Sequence, residues 1–340
     1  MIFRQLFDYE TWTYTYLLAS SEGADAILID PVLDRVDRYL QLLEELNLNL
    51  LKVVDTHVHA DHITGMGALR DRTRCITIMG EQSKVNLVSQ RVSDGETIAV
   101  GDLRLKAIYT PGHTDDSYCF LMDDRVFTGD TLFIRGTGRT DFQNGNAGDQ
   151  YDSIWHKLLT LPDDTLVFPG HDYKGDTVST IGEERKFNPR LQVSSREEYI
   201  DLMADLKLEN PRFMDVAVPA NLRIGLSQED IDQRGWSVEP QLVKPGLEKS
   251  TIVLVDLRES SEREAKGIIE PCLHSPYKDL ESALGPGGLL NELARTSHKA
   301  VVFYCAYGER SAMAVQMSRN LGLENTFHLK GGIAAFQALN

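Results

Sequence analysis

The run Thr56-His57-Val58-His59-Ala60-Asp61-His62-Ile63-Thr64-Gly65 constrains this chain more than any other stretch. Three histidines and an aspartate fall within six residues. The residues before it, Leu50-Leu51-Lys52-Val53-Val54-Asp55, are apolar and partly β-branched, which predicts a buried strand. The histidines therefore stand where a strand gives way to a loop, and loops on a rigid scaffold are where chemistry concentrates. In extended backbone alternate side chains share a face, so His57 and His59 can point the same way. Imidazole and carboxylate at such spacing suit a divalent transition metal.

Three later loops repeat the arrangement. Residues 97–109 read as two strands around a Gly101-Asp102 turn, and they lead into Thr110-Pro111-Gly112-His113-Thr114. Pro and Gly force an irregular loop there and put His113 at its tip. The expected strand Arg125-Val126-Phe127-Thr128 ends at Gly129-Asp130-Thr131, and Val167-Phe168-Pro169-Gly170-His171-Asp172-Tyr173 repeats the pattern with His171. Five of the nine histidines lie in these four loops, which makes an accidental polar loop a poor explanation. Ahead of them, Tyr14–Leu18 and Ala26–Ile29 read as a hairpin ending at Asp30-Pro31. Val36, Leu40, Leu43 and Leu46 mark a helix within residues 34–46.

Length and composition bound the rest. A chain of 340 residues suggests two domains, and 42% apolar with 25% charged residues is the composition of a soluble globular protein. A formal net charge of -16 argues against nucleic acid and anionic membranes as partners. No apolar run approaches a membrane span, and the first residues resemble neither a signal peptide nor a transit sequence, so a cytoplasmic location is expected. Cys75, Cys119, Cys272 and Cys305 form neither a disulfide framework nor a zinc ribbon.

Past residue 226 the sequence turns polar, and residues 227–239 read as a linker between a domain at 1–226 and one at 240–340. Ile252–Asp256 and Ala300–Tyr304 are expected buried strands, alternating with helical segments in the manner of a small parallel α/β domain. The second strand runs directly into Cys305, followed by Ala306-Tyr307-Gly308-Glu309-Arg310-Ser311 and a helix-like stretch from Ala312 to Leu321. A cysteine between a strand end and a helix N-terminus is placed for a stabilised thiolate. Cys119 and Cys75, in apolar surroundings, read instead as buried structural residues.

The series THVHADH, TPGHT, FTGDTLF and PGHDY resembles the metallo-β-lactamase superfamily. That resemblance implies an αβ/βα sandwich with the metal in a groove at one edge of two sheets. THVHADHITGMGAL, TPGHTDDSYCF, TGDTLFIRGTGRTDFQNG, PGHDYKGDTVSTIGEER, NPRL and VPANLR resemble more narrowly the persulfide dioxygenases. The segments VDLRE, YCAYGERSA and HLKGGIAAF resemble a rhodanese domain, in which the loop cysteine carries a persulfide sulfur. Cys305 to Arg310 spans six residues, the sulfurtransferase loop length, where related phosphatases have one residue more. The chain departs from the rhodanese pattern at Gly267-Ile268-Ile269, where a GHI triplet is usual, and at Phe336, where Trp is common.

Three chemistries fit the histidine loops. A binuclear zinc hydrolase of glutathione thioesters would use His57, His59 and His113 at one metal. Asp61, His62 and His171 would then hold the other, with Asp130 bridging. A dioxygenase would need two histidines and one carboxylate, leaving positions open on Fe(II) for oxygen and substrate. A non-catalytic sulfur-binding adaptor is the third. The resemblance implies the dioxygenase triad His57, His113 and Asp130 with one Fe(II) per chain, and makes His59, Asp61, His62 and His171 the residues that orient it. The fusion favours this reading, since a rhodanese handles the sulfane sulfur that a persulfide dioxygenase consumes. The expected substrates are glutathione persulfide and O2, giving sulfite and glutathione. Cys305, with Arg310 in its loop, would exchange sulfur with thiosulfate. Arg139, Tyr173, Lys174 and Arg223 are candidate anchors for the tripeptide, and the resemblance implies a homodimer.

Overall fold

The first unit is built on two sheets whose strands bury alternate side chains on opposite faces. The computed structural model describes residues 1–85, 88–206, 214–223 and 228–339. The chain folds as two compact units, Met1–Val85 with Arg91–Leu222, and Arg223–Asn340 with Asn86–Gln90. Strands β1 (Ile2–Asp8), β2 (Thr13–Ala19), β3 (Asp25–Ile29), β4 (Asn49–Val54), β5 (Ile76–Gly80) and β6 (Gln90–Val92) make one sheet in sequence order. The expected hairpin is the antiparallel pair β2–β3, with β1 added beside β2, while β3–β4 and β4–β5 are parallel. Strands β7 (Thr97–Val100), β8 (Leu103–Tyr109), β9 (Tyr118–Leu121), β10 (Arg125–Gly129), β11 (Leu166–Pro169) and β12 (Ser179–Thr180) make the second sheet, again in sequence order.

Period-two burial turns these sheets into a sandwich. Phe120, Phe127 and Phe168 face the core shared with Tyr16, Leu18, Ile27, Ile29 and Val54 of the first sheet. Their neighbours Cys119, Val126 and Val167 face outward and are covered by Ile154, Leu158, Ile181, Tyr199 and Met203 from helical segments. The helix Val36–Glu45 buries Val36, Tyr39 and Leu43 on one stripe. Strand β9 pairs antiparallel with both β8 and β10, and β10 pairs parallel with β11. Strands β8, β10 and β11 therefore run the same way, and their C-terminal ends share one edge. This is the αβ/βα sandwich expected from the sequence, and it explains why three of the four ligand-bearing loops emerge together.

The second unit has a five-stranded sheet. Strands β13 (Ser237–Val238), β14 (Ile252–Asp256), β15 (Cys272–His274), β16 (Ala300–Tyr304) and β17 (Thr326–Leu329) take the order β13-β17-β16-β14-β15 and are all parallel. Val255, Val301 and Phe303 pack on one face, Leu254, Val302 and Tyr304 on the other. The expected parallel α/β domain is present. Residue 226, the last of the expected first domain, and residue 227, the first of the expected linker, lie outside the described residues. Further along that segment, Gln228–Gln233 is helical and Ser237–Val238 is an edge strand of the sheet. Among the described residues no helix is long and apolar enough to cross a membrane.

Candidate metal centre and sulfur-carrying loop

His57 lies in the loop after β4, His113 in the loop after β8, and Asp130 directly after β10. Each offers a ligand atom, and the three atoms lie within 4.8 Å of one another with all three residues buried. Hydrogen bonds decide which atoms are left for a metal. The Thr56 backbone N–H and hydroxyl both donate to Asp30, at 2.7 and 2.9 Å. With its one proton committed, the Thr56 hydroxyl accepts from His57 Nδ1–H at 2.9 Å. His113 Nδ1–H donates to the Arg139 carbonyl at 2.7 Å. Nε2 of each ring is thus the unprotonated lone pair. Asp130 Oδ1 accepts from His171 Nδ1 at 2.8 Å, and Oδ2 lies 3.5 Å from His113 Nε2. Two imidazole lone pairs and one carboxylate oxygen, each braced from behind, suit a divalent transition metal.

The electrostatics agree. Burial alone would raise the Asp130 carboxyl, yet His171, His113 and His57 hold it well below the ordinary range. Burial pushes the His57 imidazole far down, keeping it neutral as a ligand must be. Burial also works against charge on His171, but Asp130 and Asp61 on its two nitrogens overcome it and raise it well above the usual value. His171 Nε2 reaches Asp61 Oδ2 at 2.9 Å, and His62 Nδ1 meets the same oxygen at 2.9 Å.

His59, Asp61 and His62 form a second group of candidate ligand atoms within 4.8 Å of one another. His59 Nε2 bonds Asp30 Oδ1 at 3.1 Å, while its Nδ1 and His62 Nε2 are buried without a hydrogen-bond partner. Glycines leave the room these groups need. A methyl group at Gly138 would run into the Asp130 carbonyl and press on His113 Nδ1, and one at Gly170 would meet Asp130 Oδ1 at 2.6 Å.

Asp30, Thr13, Thr56, Asn221 and Arg190 belong to the site without standing out as site residues in the sequence. Asp30 sits in a left-handed conformation, φ 51°, which the Asp-Pro turn at its position hints at. Thr13 Oγ1 lies 3.1 Å from Asp61 Oδ2 and 3.2 Å from His171 Nε2. Asn221, in the VPANLR stretch, donates to the carbonyls of His59 and His62 at 2.9 and 2.8 Å and clamps the histidine loop.

A cleft of about 800 Å3 opens over His113, Asp130 and His171. Arg139, Tyr173 and Lys174, three of the expected anchors for the tripeptide, line it. The Arg139 guanidinium is paired with both oxygens of Asp141, at 2.6 and 2.7 Å, and lies over the Phe142 ring. Tyr173 stacks its ring on His171 with 5° between the planes. Arg223 is exposed, is counted with the second unit and does not line the cleft. Arg190 does line it, donating to the Thr137 carbonyl and hydroxyl.

In the second unit Cys305 continues the buried alternation of β16, on the face of Val301 and Phe303. The loop folds inward, and Cys305 is fully buried. The Gly308 N–H donates to Sγ at 3.2 Å, and Ser311 Oγ lies 3.8 Å away. Gly332, at φ 62°, lets the helix Gly332–Gln337 close on the loop, so that Ile333 and Ala334 donate to the carbonyls of Cys305 and Ala306. Arg310 is held by groups other than the sulfur. It donates to both oxygens of Glu262, at 2.8 and 2.6 Å, and to the Ser89 carbonyl at 3.1 Å.

Comparison with known proteins agrees with both units. Residues 13–171 match the metallo-beta-lactamase superfamily, and residues 239–339 match the rhodanese-like domain. Persulfide dioxygenase ETHE1, mitochondrial, of Homo sapiens and of Mus musculus are each 46% identical over 233 residues, covering 66% of this chain and 89% of the relative. The crystal structure of ETHE1 from Myxococcus xanthus is 54% identical and covers 66% of this chain and all of that one, with a TM-score of 0.65. A metallo-beta-lactamase structure from Staphylococcus aureus, 22% identical with a TM-score of 0.61, covers 97% of this chain and 98% of its own and shares the fold.

Proposed function

The chain belongs to the persulfide dioxygenase family of the metallo-β-lactamase superfamily and carries a rhodanese-like domain; from there we propose that it oxidises glutathione persulfide with O2 to sulfite and glutathione. The observation that carries this reading is the set His57, His113 and Asp130, two imidazoles and one carboxylate braced from behind by Thr56, the Arg139 carbonyl and His171. These three residues would hold one Fe(II). Iron, when bound, supplies the one-electron path to triplet oxygen that no side chain offers. The overall reaction takes up one water and releases two protons for each persulfide, so the site must bind an anion and pass protons out.

The chain's residues divide that work. Asp130 is turned by His171 so that Oδ2 remains for the metal. His171 holds its protons on Nδ1 and Nε2 between two carboxylates, keeping positive charge beside the place where the persulfide anion would sit. Lys174 and Arg190 line the cleft, among the described residues have no carboxylate partner, and would take the two carboxylates of the tripeptide. Arg139, tied to Asp141, would act chiefly by fixing His113.

Cys305 would attack the outer sulfur of thiosulfate, forming an S–S bond and releasing sulfite. Glutathione thiolate would then take that sulfur and leave as glutathione persulfide. The reverse runs through the same bonds. The Gly308 N–H that donates to Sγ at the start of the helix Glu309–Asn320 supports this role for Cys305.

One observation favours a second reading. The partnerless nitrogens of buried His59 and His62 beside Asp61 could take a second metal, as in a binuclear zinc thioester hydrolase. Protein purified without oxygen separates the two. The dioxygenase carries one iron per chain and consumes O2 with glutathione persulfide. His57→Ala, His113→Ala and Asp130→Ala lose both, and His62→Ala retains iron. Two zincs per chain and hydrolysis of a glutathione thioester would establish the alternative.

A further inference from the structure

Among the described residues, every strongly exposed Tyr or Trp lies on the rim of the one cleft above the metal centre: Tyr9 is 77% exposed, Trp12 44% and Tyr173 60%. Three amphipathic rings left in water around a single cleft mark a place where a ligand covers them. Trp12 is also pinned. Its backbone sits at φ 61°, a conformation bulky residues rarely adopt. The turn before it is held by Asp8, which accepts the Thr11 N–H and hydroxyl at 2.9 and 2.6 Å and pairs with Arg35 at 2.6 Å. The Trp12 carbonyl accepts the Asp172 N–H at 3.2 Å, and its ring centroid lies 6.2 Å from that of Tyr173. The aromatic wall is therefore part of the scaffold rather than a loose tip.

The charges on this rim have a definite balance. Of the acids lining the cleft, Asp61 and Asp130 are bonded to His171, and Asp172 accepts the backbone N–H groups of residues 174, 175 and 176. Glu10, between Tyr9 and Trp12 in the lining, has only a loose 3.4 Å contact with Arg35, whose closer partner is Asp8. Of the four Lys and Arg side chains lining the cleft, Arg135 is paired with Glu183 and Glu184 and Arg139 with Asp141, so the rim offers one acid with aromatic neighbours together with Lys174 and Arg190. A glutathionyl group carries one ammonium and two carboxylates, the complementary set.

We propose that Tyr9, Glu10 and Trp12, closed off by Tyr173, receive the α-ammonium group at the γ-glutamyl end of the substrate, and so make the cleft selective for persulfides that carry a free amino group. The proposal rests on glutathione persulfide as substrate. Attraction of a cation to ring faces, reinforced by a carboxylate, supplies the selectivity.

The test uses the iron-loaded full chain and two persulfides, that of glutathione and that of glutaryl-cysteinyl-glycine, in which hydrogen replaces the ammonium. Oxygen uptake should show a KM about tenfold higher for the des-amino compound. Trp12→Ala and Glu10→Gln should each raise the KM for glutathione persulfide roughly fivefold and that for the des-amino compound less than twofold, with Trp12→Phe largely restored. Calorimetric titration with the two parent thiols should give the same discrimination. Equal effects of Glu10→Gln on both compounds would overturn the proposal, and that exposed substitution decides the matter even where Trp12→Ala fails to fold. If the wild-type chain consumed no oxygen with either persulfide, the dioxygenase reading would fall on its own. Calorimetry would still judge the ammonium receptor, since equal affinity for the two thiols sinks it and a preference for glutathione upholds it.

Discussion

Thr56 has one hydroxyl proton, and Asp30 takes it, which leaves the oxygen to accept from His57. The free nitrogen of His57, a candidate ligand, is thus set by Asp30 through Thr56. Thr56→Val keeps the shape of the side chain and removes this bond. Metal affinity should fall 10- to 100-fold, measured by competition with a chelator, with the fold retained. An unchanged affinity would mean that the hydroxyl does not orient His57. The histidines and Asp130 were legible in the sequence because their chemistry is carried by residue type at strand ends. Their braces were not. Asp30 lies 26 residues from Thr56, and Thr13 lies 158 residues from His171, on strands whose sequences give no hint of which loop they face.

The loop from Cys305 to Arg310 shows the same limit at the scale of an element. Its length and its place between β16 and the helix Glu309–Asn320 could be read directly. The direction of Arg310 could not. Burial opposes its charge, but Glu262, at the third position of the helix Ser260–Lys266, pairs with it and raises its pKa further. Arg310 therefore acts as a tie between a helix and the sulfur loop. Removing one partner of a buried pair strands the other charge, so Arg310→Ala should destabilise the second unit by about 3–5 kcal/mol in urea titrations. The double variant Glu262→Leu with Arg310→Met should recover most of that loss, because no bare charge is left behind. A double variant as unstable as the single one would contradict this role. The expected linker is a related case. A short polar stretch reads as a spacer, yet Ser237 and Val238 gain ladder bonds from β17 that only the folded sheet provides.

The two proposed chemistries make the whole molecule testable by cross-assay. Cys305→Ser should abolish sulfur transfer from thiosulfate, since a hydroxyl cannot replace the thiolate. It should still consume oxygen with preformed glutathione persulfide, and His113→Ala should do the reverse. Loss of persulfide oxidation in a folded, iron-loaded Cys305→Ser chain would mean that the sites act only as a relay. Stability should also respond to pH through His328. Burial pushes its imidazole down to about 4, with Asp232 opposing and Lys330 assisting, while Ser237 and Ser311 bond the neutral ring. In the unfolded chain it titrates near 6.5, so between those values the unfolded state binds more protons and stability rises with pH. Acidification from about 6.5 to 4 should cost the second unit up to about 3 kcal/mol through this group. His328→Asn should flatten that part of the urea-midpoint profile, in the transition that Arg310→Ala shifts. A profile identical to wild type would remove His328 as the cause.

What the sequence determined by itself was local. Alternation along β10, β11 and β16 set which residues face the core, since the period of a strand is a property of its own backbone. Residue type at strand ends named the metal and sulfur groups, since imidazole, carboxylate and thiol carry their chemistry wherever they stand. What only the tertiary structure decided was direction and partnership. The common sense of β8, β10 and β11, the tautomers of His57 and His113, and the pairing of Arg139 with Asp141 and of Arg310 with Glu262 each depend on a group distant in sequence or on the local turn of a loop. A hydrogen bond or ion pair forms only at short range and in a narrow geometry, so it exists only once packing has brought both ends together.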